Sequence, residues 1–298
     1  MRYAPGWPGI EPRWTSSAKS GVGTALSRHS RVWFTLSHGI LNEIYFPRVD
    51  QACTRDQGLI VTDGSGFFSE EKRHCKFENR PCEPGIPVYE LINTCNQGRY
   101  RIKKEILTDP YRNVVLQKVR FQPLQGTLAD YHVHGLLAPH LANFGYGNTG
   151  WVGDYKGVPM LFAQRDGCAL AFACSVPWRK LSAGFAGSSD GWQDLSQHYQ
   201  MTWEYTRAEN GNIALTSEID LTARNGEFVL ALGFGSIWSE AGQQALSTLL
   251  ENYEAIREHY VMHWREWHKR LINLDEPERD HDLYRASMSV LRTHESKD

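Results

Sequence analysis

A mainly β body of antiparallel sheets, with helices confined to the C-terminal end, is the fold class this sequence predicts. Three observations predict it. From about residue 31 to 235, short runs alternate apolar and polar residues, the period of a half-buried strand. Turn signals rich in Gly, Asn and Asp separate the runs. No helical pattern of about 10–15 residues intervenes, which argues against βαβ units and hence a parallel sheet.

The elements follow in order. Residues 1–30 are rich in Gly, Pro and Ser and read as an extended lead that wraps the surface. "RVWFTLSH" sets Val32, Phe34 and Leu36 against Trp33, Thr35 and Ser37, and "YRIKKEI" sets Tyr100 and Ile102 against Arg101 and Lys103. "NVVLQKVRF", "YHVHGLL", "MLFAQR", "CALAFACSV", "MTWEYTR", "NIALTSEIDL" and "EFVLALGF" continue the series, divided by "TDGSG", "CNQG", "QRDG", "AENGN" and "ARNGE". The texture changes at Ser239, a plausible N-cap. Leu246, Leu249, Leu250, Tyr253, Ile256, Tyr260, Trp264, Trp267 and Leu271 then recur at helical steps, one stripe on a helix or two joined helices of roughly 30 residues. Pro277 breaks the pattern, and Asp282 is placed to cap a last helix whose apolar face holds Tyr284, Met288 and Leu291. That face is expected to be poorly covered, leaving the last segment frayed, mobile or docked on a neighbouring copy.

Bulk composition limits the function classes. The chain has 298 residues, net charge −2, 41% hydrophobic and 22% charged residues, ordinary for a globular protein. No basic block exceeds "EKRH", so no electrostatic footprint for nucleic acid exists. The longest weakly polar stretch, 168–178, is too short to span a bilayer. The six cysteines include no C-x-x-C pair and do not form a small disulfide scaffold; Cys168 and Cys174 read as buried strand residues. "MRYAPGWPGIEPRW" lacks the apolar core of a signal peptide, and a cytoplasmic, reducing location is the expectation. The 10 Trp, 13 Tyr and 12 Phe suit a dense β core, and such rings also stack on sugars.

Short motifs carry little. "GYGNTG" (145–150) matches the dinucleotide fingerprint, but "WVGDYKGVP" follows where a helix is required, so it reads as a glycine loop. "GSSDG" (187–191) places Ser189 at a nucleophile position without the parallel strand-to-helix setting of an elbow. His132 and His134 share one strand face, a metal pair lacking an evident third ligand, and no metal or cofactor is expected. His259 and His263 lack the glutamate of a zinc protease and read as helix-face polar groups. Glycoside hydrolysis needs two carboxyl groups. Spacing cannot pair Glu43, Asp50, Asp56, Asp63, Asp154, Asp190 or Asp194, which read first as turn caps.

Five blocks in order carry a resemblance: "APGWPGIEPRWTSSAKSGVGT" (4–24), "VWFTLSHGILNEIYFPRVD" (32–50), "TRDQGLIVTDG" (54–64), "GFAGSSDGWQDL" (184–195) and "GNIALTSEIDL" (211–221). Together they resemble the N-terminal domain of bacterial family 15 glycoside hydrolases, the glucoamylases and glucodextranases. "YRASMSVLRTHESKD" resembles the first helix of that family's catalytic (α/α)6 barrel. The resemblance implies a two-sheet supersandwich over 1–238, similar to that of galactose mutarotase. It implies a helical linker over 239–276 and the first barrel helix over 277–298. It further implies that both catalytic glutamates lie in the barrel, beyond Asp298, so that this chain alone is inactive. The parent reaction would be inverting hydrolysis of terminal α-glucosidic bonds.

On this reading the chain's partners are its own catalytic barrel and an α-glucan, with no nucleic acid and no membrane. Its role is to support the barrel and to lend loops to the rim of the glucan pocket. The rim or interdomain candidates are Tyr45, Arg48, Asp50, Asp190, Trp192 and Asp194, since rings stack on sugars while Arg and Asp bind hydroxyls. The competing reading makes them internal ties of the sandwich, with Arg48 in an internal ion pair. Two other functions stay open. An independent carbohydrate-binding module would show an exposed aromatic platform away from the barrel side. A mutarotase would need a histidine, His132 or His134, converging with a carboxylate in one cleft.

Overall fold

The computed structural model describes residues 2–272 and 283–297. Two antiparallel sheets stack face to face. In one, the strand order is β1 (Gly21–Thr24), β2 (Trp33–Ser37), β3 (Ile40–Tyr45), β4 (Thr54–Thr62), β10 (His132–Pro139), β16 (Ile213–Ile219) and β14 (Trp178–Phe185), with β5 (Phe68–Glu70) also paired to β4. In the other it is β15 (Arg207–Gly211), β11 (Asn148–Tyr155), β12 (Val158–Arg165), β13 (Cys168–Cys174), β17 (Glu227–Gly235), β9 (Val114–Pro123), β8 (Tyr100–Thr108), β7 (Ile86–Cys95) and β6 (Cys75–Glu83). These sheets of eight and nine strands form the supersandwich.

Tight hairpins follow from turn chemistry. Lys156-Gly157 and Asp166-Gly167 join β11 to β12 and β12 to β13 with both residues at positive φ, as a two-residue turn matched to strand twist requires. "MTWEYTR", read as a strand, is one only from Arg207. Its backbone is claimed elsewhere: the N–H groups of Thr202 and Trp203 donate to Asp194, and that of Tyr205 to Ser182 Oγ. The lead does wrap the body, with Ala4 N bonded to Arg207 O, Ile10 N to Ala186 O and Ser20 N to Leu36 O.

The inner faces meet over Phe34, Leu59, Val61, Ile102, Ile106, Val119, Val133, Leu170, Phe172 and Leu232, all buried. Polar groups cross this core. Lys104 Nζ on β8 lies 2.7 Å from Glu71 Oε1, with both side chains at most 1% exposed. Glu71 belongs to α1 (Glu71–His74), next to β5, and also accepts from Leu59 N at 3.1 Å and from Asn93 on β7. Asn93 donates in turn to Gly39 O at 2.8 Å. Gly39 has φ +72°, and a Cβ there would lie 2.1 Å from Asn93 Oδ1, so only glycine fits this hairpin tip. Gln117 on β9 donates to Gln57 on β4, and Ser69 shares a 2.7 Å hydrogen bond with the Tyr100 hydroxyl.

Helices cover the outer face of the nine-stranded sheet. The apolar stripe breaks into α3 (Trp238–Leu249) and α4 (Tyr253–His268), two joined helices. Ser239 is not the N-cap; Ile237 holds that position, and Glu240 reaches back to Ser236 N and Oγ at 2.7 Å instead. Asn252 caps α4, accepting from Glu254 N and Ala255 N. Ala169, Ala171, Ala173 and Ala231 present a low surface to Ala241 and Ala245 of α3. The approach is so close that a Cβ on Gly233 would lie 2.4 Å from Ala241 O. In α4, Trp264 is fully buried and donates to Thr24 O at 3.2 Å, while the Tyr260 hydroxyl bonds Thr24 O and Pro87 O.

The last helix, α5 (Leu283–Thr293), docks through Ser289 and Thr293, both buried. This departs from the expected frayed end: the His268 ring and Ser289 Oγ are 2.9 Å apart, and Lys297 Nζ reaches Thr24 Oγ1 at 2.6 Å. The apolar face read from sequence is nonetheless thinly covered, with Tyr284 and Met288 half-buried and Leu291 exposed. The Pro277 break and the Asp282 cap lie outside the described residues. Among the described residues no helix is long and apolar enough to cross a membrane.

Two stability outcomes follow. Trp264→Ala should cost about 3–5 kcal/mol in urea unfolding, because removing an indole at full burial leaves a large cavity. Lys104→Met should cost about 3–5 kcal/mol by leaving a buried carboxylate unpaired, and Lys104→Met with Glu71→Gln should recover part of that loss. An equal loss in the single and double variants would show that the charge is not what matters.

Candidate functional site

The six rim candidates fall into two groups, each held by its own network. Tyr45 ends β3, half-buried, and its phenol is pushed up by burial and by Glu43. Arg48 and Asp50 form a two-toothed ion pair, 2.9 and 2.6 Å, on an exposed turn. Both side chains are about 60% exposed, so the pair is a surface one and not internal. The Arg48 hydrogen bond holds the Asp50 carboxyl below its ordinary value.

The second group organises α2 (Gly191–His198), a helix the strand-dominated reading missed. Asp190 is its N-cap, accepting from Trp192 N at 2.8 Å and Gln193 N at 3.1 Å. Burial pushes its carboxyl up, against these backbone donors. Trp192 donates to Glu70 Oε2 at 2.9 Å, rests edge-on against Phe68 and carries the Arg73 guanidinium over its ring. Asp194 is buried and accepts from His198 Nδ1, Thr202 N and Trp203 N at 2.7–2.8 Å. Leu195 and Met201 then pack α2 on Ile60, on the outer face of the eight-stranded sheet. The D-G-W-Q-D-L stretch was legible as a capped helix start from Asp190 alone.

The same sheet face carries a histidine–carboxylate pair. His132 Nδ1 lies 2.8 Å from Glu218 Oε1 across the β10–β16 ladder. Burial opposes the Glu218 charge, yet the His132 hydrogen bond and nearby cations prevail and hold its carboxyl below the ordinary value. His134, stacked beside His132 with ring centroids 6.4 Å apart, is fully buried and 3.2 Å from Thr62 Oγ1. An imidazole and a carboxylate do meet here, but they bond to each other, and His134 is out of a substrate's reach.

Other sequence candidates are similarly engaged. Ser189 does sit between a strand and a helix, but the sheet is antiparallel, and its buried hydroxyl donates to Pro5 O at 2.7 Å. "GYGNTG" leads into β11, an antiparallel strand, with Asn148 Nδ2 tying the loop through Phe144 O and Gly145 O. Asp63 accepts from Ser65, Gly66 and Phe67 N–H groups, which hold its carboxyl well below the usual range despite the opposing effect of burial. Asp56 pairs with Arg55 and Lys72, and Glu43 with Lys19 and Thr15. His259 and His263 contact the Tyr111 ring edge-on. All six cysteines are free thiols.

α4 and α5 make a polar seam with the body. Glu105 on β8 accepts from the Tyr253 hydroxyl and from Arg257 Nε, each at 2.9 Å, and Arg265 forks onto Glu83 at 2.8 and 3.0 Å. Leu283, Val290 and Leu291 of α5 stay exposed beside this seam.

Residues 4–269 match the family model described as glucodextranase, domain N, and the chain belongs to that family. It is 37% identical over 290 residues to a glucoamylase of Clostridium sp. (strain G0005), covering 97% of this chain and 41% of that protein. It also superposes on the crystal structure of a bacterial glucoamylase complexed with acarbose, with TM-score 0.96 and 37% identity, over 100% of this chain and 44% of that one. The chain thus spans less than half the length of these relatives. A glycosyl hydrolase of family gh92 shares the fold at 10% identity, with TM-score 0.51 over 87% of this chain and 36% of that one.

Burial pushes His134 down to about 3, and His140, buried against the edge of Trp14, down to about 4. Both folded values lie below the ordinary 6.5, so both rings are neutral in the folded protein near neutrality. As pH falls below about 6.5, the unfolded chain takes up protons that the folded chain refuses, and stability falls until the folded values are reached. Each ring should contribute up to about 1.4 kcal/mol per pH unit within that window. His134→Gln should therefore flatten the acid dependence of the urea midpoint by one ring's share; parallel curves for the variant and the parent would refute this.

Proposed function

We propose that this chain is the N-terminal β domain of a glucoamylase- or glucodextranase-like glycoside hydrolase, and that it supports a catalytic helical barrel without performing the chemistry itself. One observation carries the reading: nearly the whole chain matches under half of a glucoamylase, and α5 is already docked with an apolar edge exposed. In the intact enzyme the barrel would supply two glutamates. One would protonate the leaving glycosidic oxygen while the other drew a proton from water attacking the far side of the anomeric carbon, inverting it. Terminal α-glucosidic bonds would be the substrate.

The rim role of Tyr45, Arg48, Asp50 and Trp192 belongs to this proposal. Arg48 and Asp50 suit it better than Asp190 and Asp194. Their bidentate pair is exposed and can exchange partners, whereas Asp190 and Asp194 hold backbone N–H groups that α2 needs.

The test is a chimera in which this chain replaces the matching N-terminal region of the Clostridium glucoamylase. The chimera should fold and hydrolyse maltose or starch, and Leu291→Asp within it should lower activity and thermal stability together. The purified chain alone should show no turnover on maltose, starch or dextran. Turnover by the isolated chain, abolished by changing one of its own carboxylates, would overturn the proposal.

A further inference from the structure

An open pocket of ≈ 570 Å³ lies at the far end of the nine-stranded sheet from α5, among β11, β12, β15 and the start of α3. Its size falls within the roughly 300–1,000 Å³ typical of small-molecule sites. Trp151, Gln164, Arg165, Asp166, Arg207 and Trp238 line it. Trp238 is 41% exposed although Phe162 braces it at 5.5 Å in an edge-to-face contact. Phe162 also stacks on Trp151, whose ring carries the Arg207 guanidinium 5.4 Å from its centroid. The rim holds a further exposed indole: Trp7 donates to Asn210 O, and Asn210 N donates to Thr149 Oγ1 of the pocket wall.

The chemistry of this pocket selects a ligand class. Its cations are already neutralised, Arg165 by Asp166 at 3.0 Å and Arg207 by Glu209 at 2.5 Å, which disfavours a free anion. What remains is a braced aromatic platform ringed by hydrogen-bonding groups. Among the described residues the indole nitrogen of Trp238, the amide nitrogen of Gln164 and the terminal nitrogens of Arg207 have no hydrogen-bond partner, and Asp166 offers carboxylate oxygens to solvent. Flat apolar rings beside donors and acceptors match a pyranose, which has an apolar C–H face and a rim of hydroxyls.

We propose that this pocket is a non-catalytic saccharide-binding site for a neutral α-glucan segment, with Trp238 as the stacking platform and Arg207 and Gln164 as hydroxyl donors. The choice of α-glucan rests on the proposed function; the saccharide class rests on the pocket alone. Such a site would hold polymer on the body while the barrel works on chain ends.

Titration of the purified chain, followed by isothermal calorimetry and tryptophan fluorescence, tests it with maltoheptaose, an isomaltooligosaccharide, cellohexaose and inorganic phosphate. Saturable binding of either α-glucan is expected. Trp238→Ala should weaken it by roughly tenfold or more, about 1.4 kcal/mol. Phe77→Ala, which removes an exposed ring on β6 at the opposite edge, should leave it unchanged, and matching melting curves would show that both variants fold. Preference for cellohexaose would overturn the α-glucan assignment, and preference for phosphate the saccharide class. Absence of binding, or binding indifferent to Trp238, would overturn the site, while the activity of the chimera described above would stand or fall independently.

Discussion

The Glu71–Lys104 ion pair is the constraint around which the two sheets are organised. It sits in the apolar interior with both charges excluded from water, a placement whose desolvation cost is several kcal/mol per ion unless the geometry is good. Three segments converge on the pair and hold Glu71 in place. Lys104 comes from β8, Glu71 from the short turn of helix beside β5, and Asn93 from β7 reaches both Glu71 and the hairpin tip at Gly39. Apolar faces alone would let the sheets slide over one another, since the hydrophobic effect has no direction. A buried charge pair has one satisfied arrangement, and it sets the relative position of the sheets. The Gln57–Gln117 hydrogen bond adds a second point of reference, so rotation is limited as well as translation.

With the sheets positioned, their two outer faces take different roles. The nine-stranded sheet turns small residues outward on β13 and β17, and α3 settles directly onto them. That close fit lets α4 continue along β7 and β1, where Tyr260 and Trp264 take carbonyls that the strand edge leaves free. The outward side of the eight-stranded sheet is instead polar. Glu43, Asp56, His134, Glu218 and Asp194 are buried there under the lead and α2 rather than under a helix layer. Each is matched by a partner, as buried polar groups must be.

This asymmetry has a functional meaning. One face is sealed by the chain's own helices, and the terminal helix docks through the small polar residues Ser289 and Thr293, a seam consistent with the proposed barrel-supporting role. The groups that would do acid–base chemistry in a hydrolase are spent on capping and pairing: Asp190 and Asp194 on α2, Asp63 on a turn, Glu218 on His132. The open pocket beside Trp238 is aromatic and hydrogen-bonding, which fits the proposed saccharide site.

The sequence by itself determined the local features. Alternation marked β2 and β8, apolar runs marked β9, β13 and β17, Asp-Gly and Asn-Gly marked the turns, and the three-to-four spacing of Leu246 through Trp267 marked a buried helical stripe, because each of these depends on contacts within a few residues. The five blocks also carried the family. Tertiary structure alone decided which distant residues meet. No spacing rule joins Lys104 to Glu71, or Trp238 to Trp151 and Arg207, since such pairs arise only when sheets stack and strands from remote segments become neighbours. The same cause explains the errors. "MTWEYTR" has strand-like alternation, but Asp194 takes its backbone donors first. Ser239 has the chemistry of a cap, yet the close approach of α3 to Gly233 places the cap two residues earlier, at Ile237. Arg48 and Asp50 do pair, but solvent reaches them, because exposure belongs to the packed surface and not to the residue type.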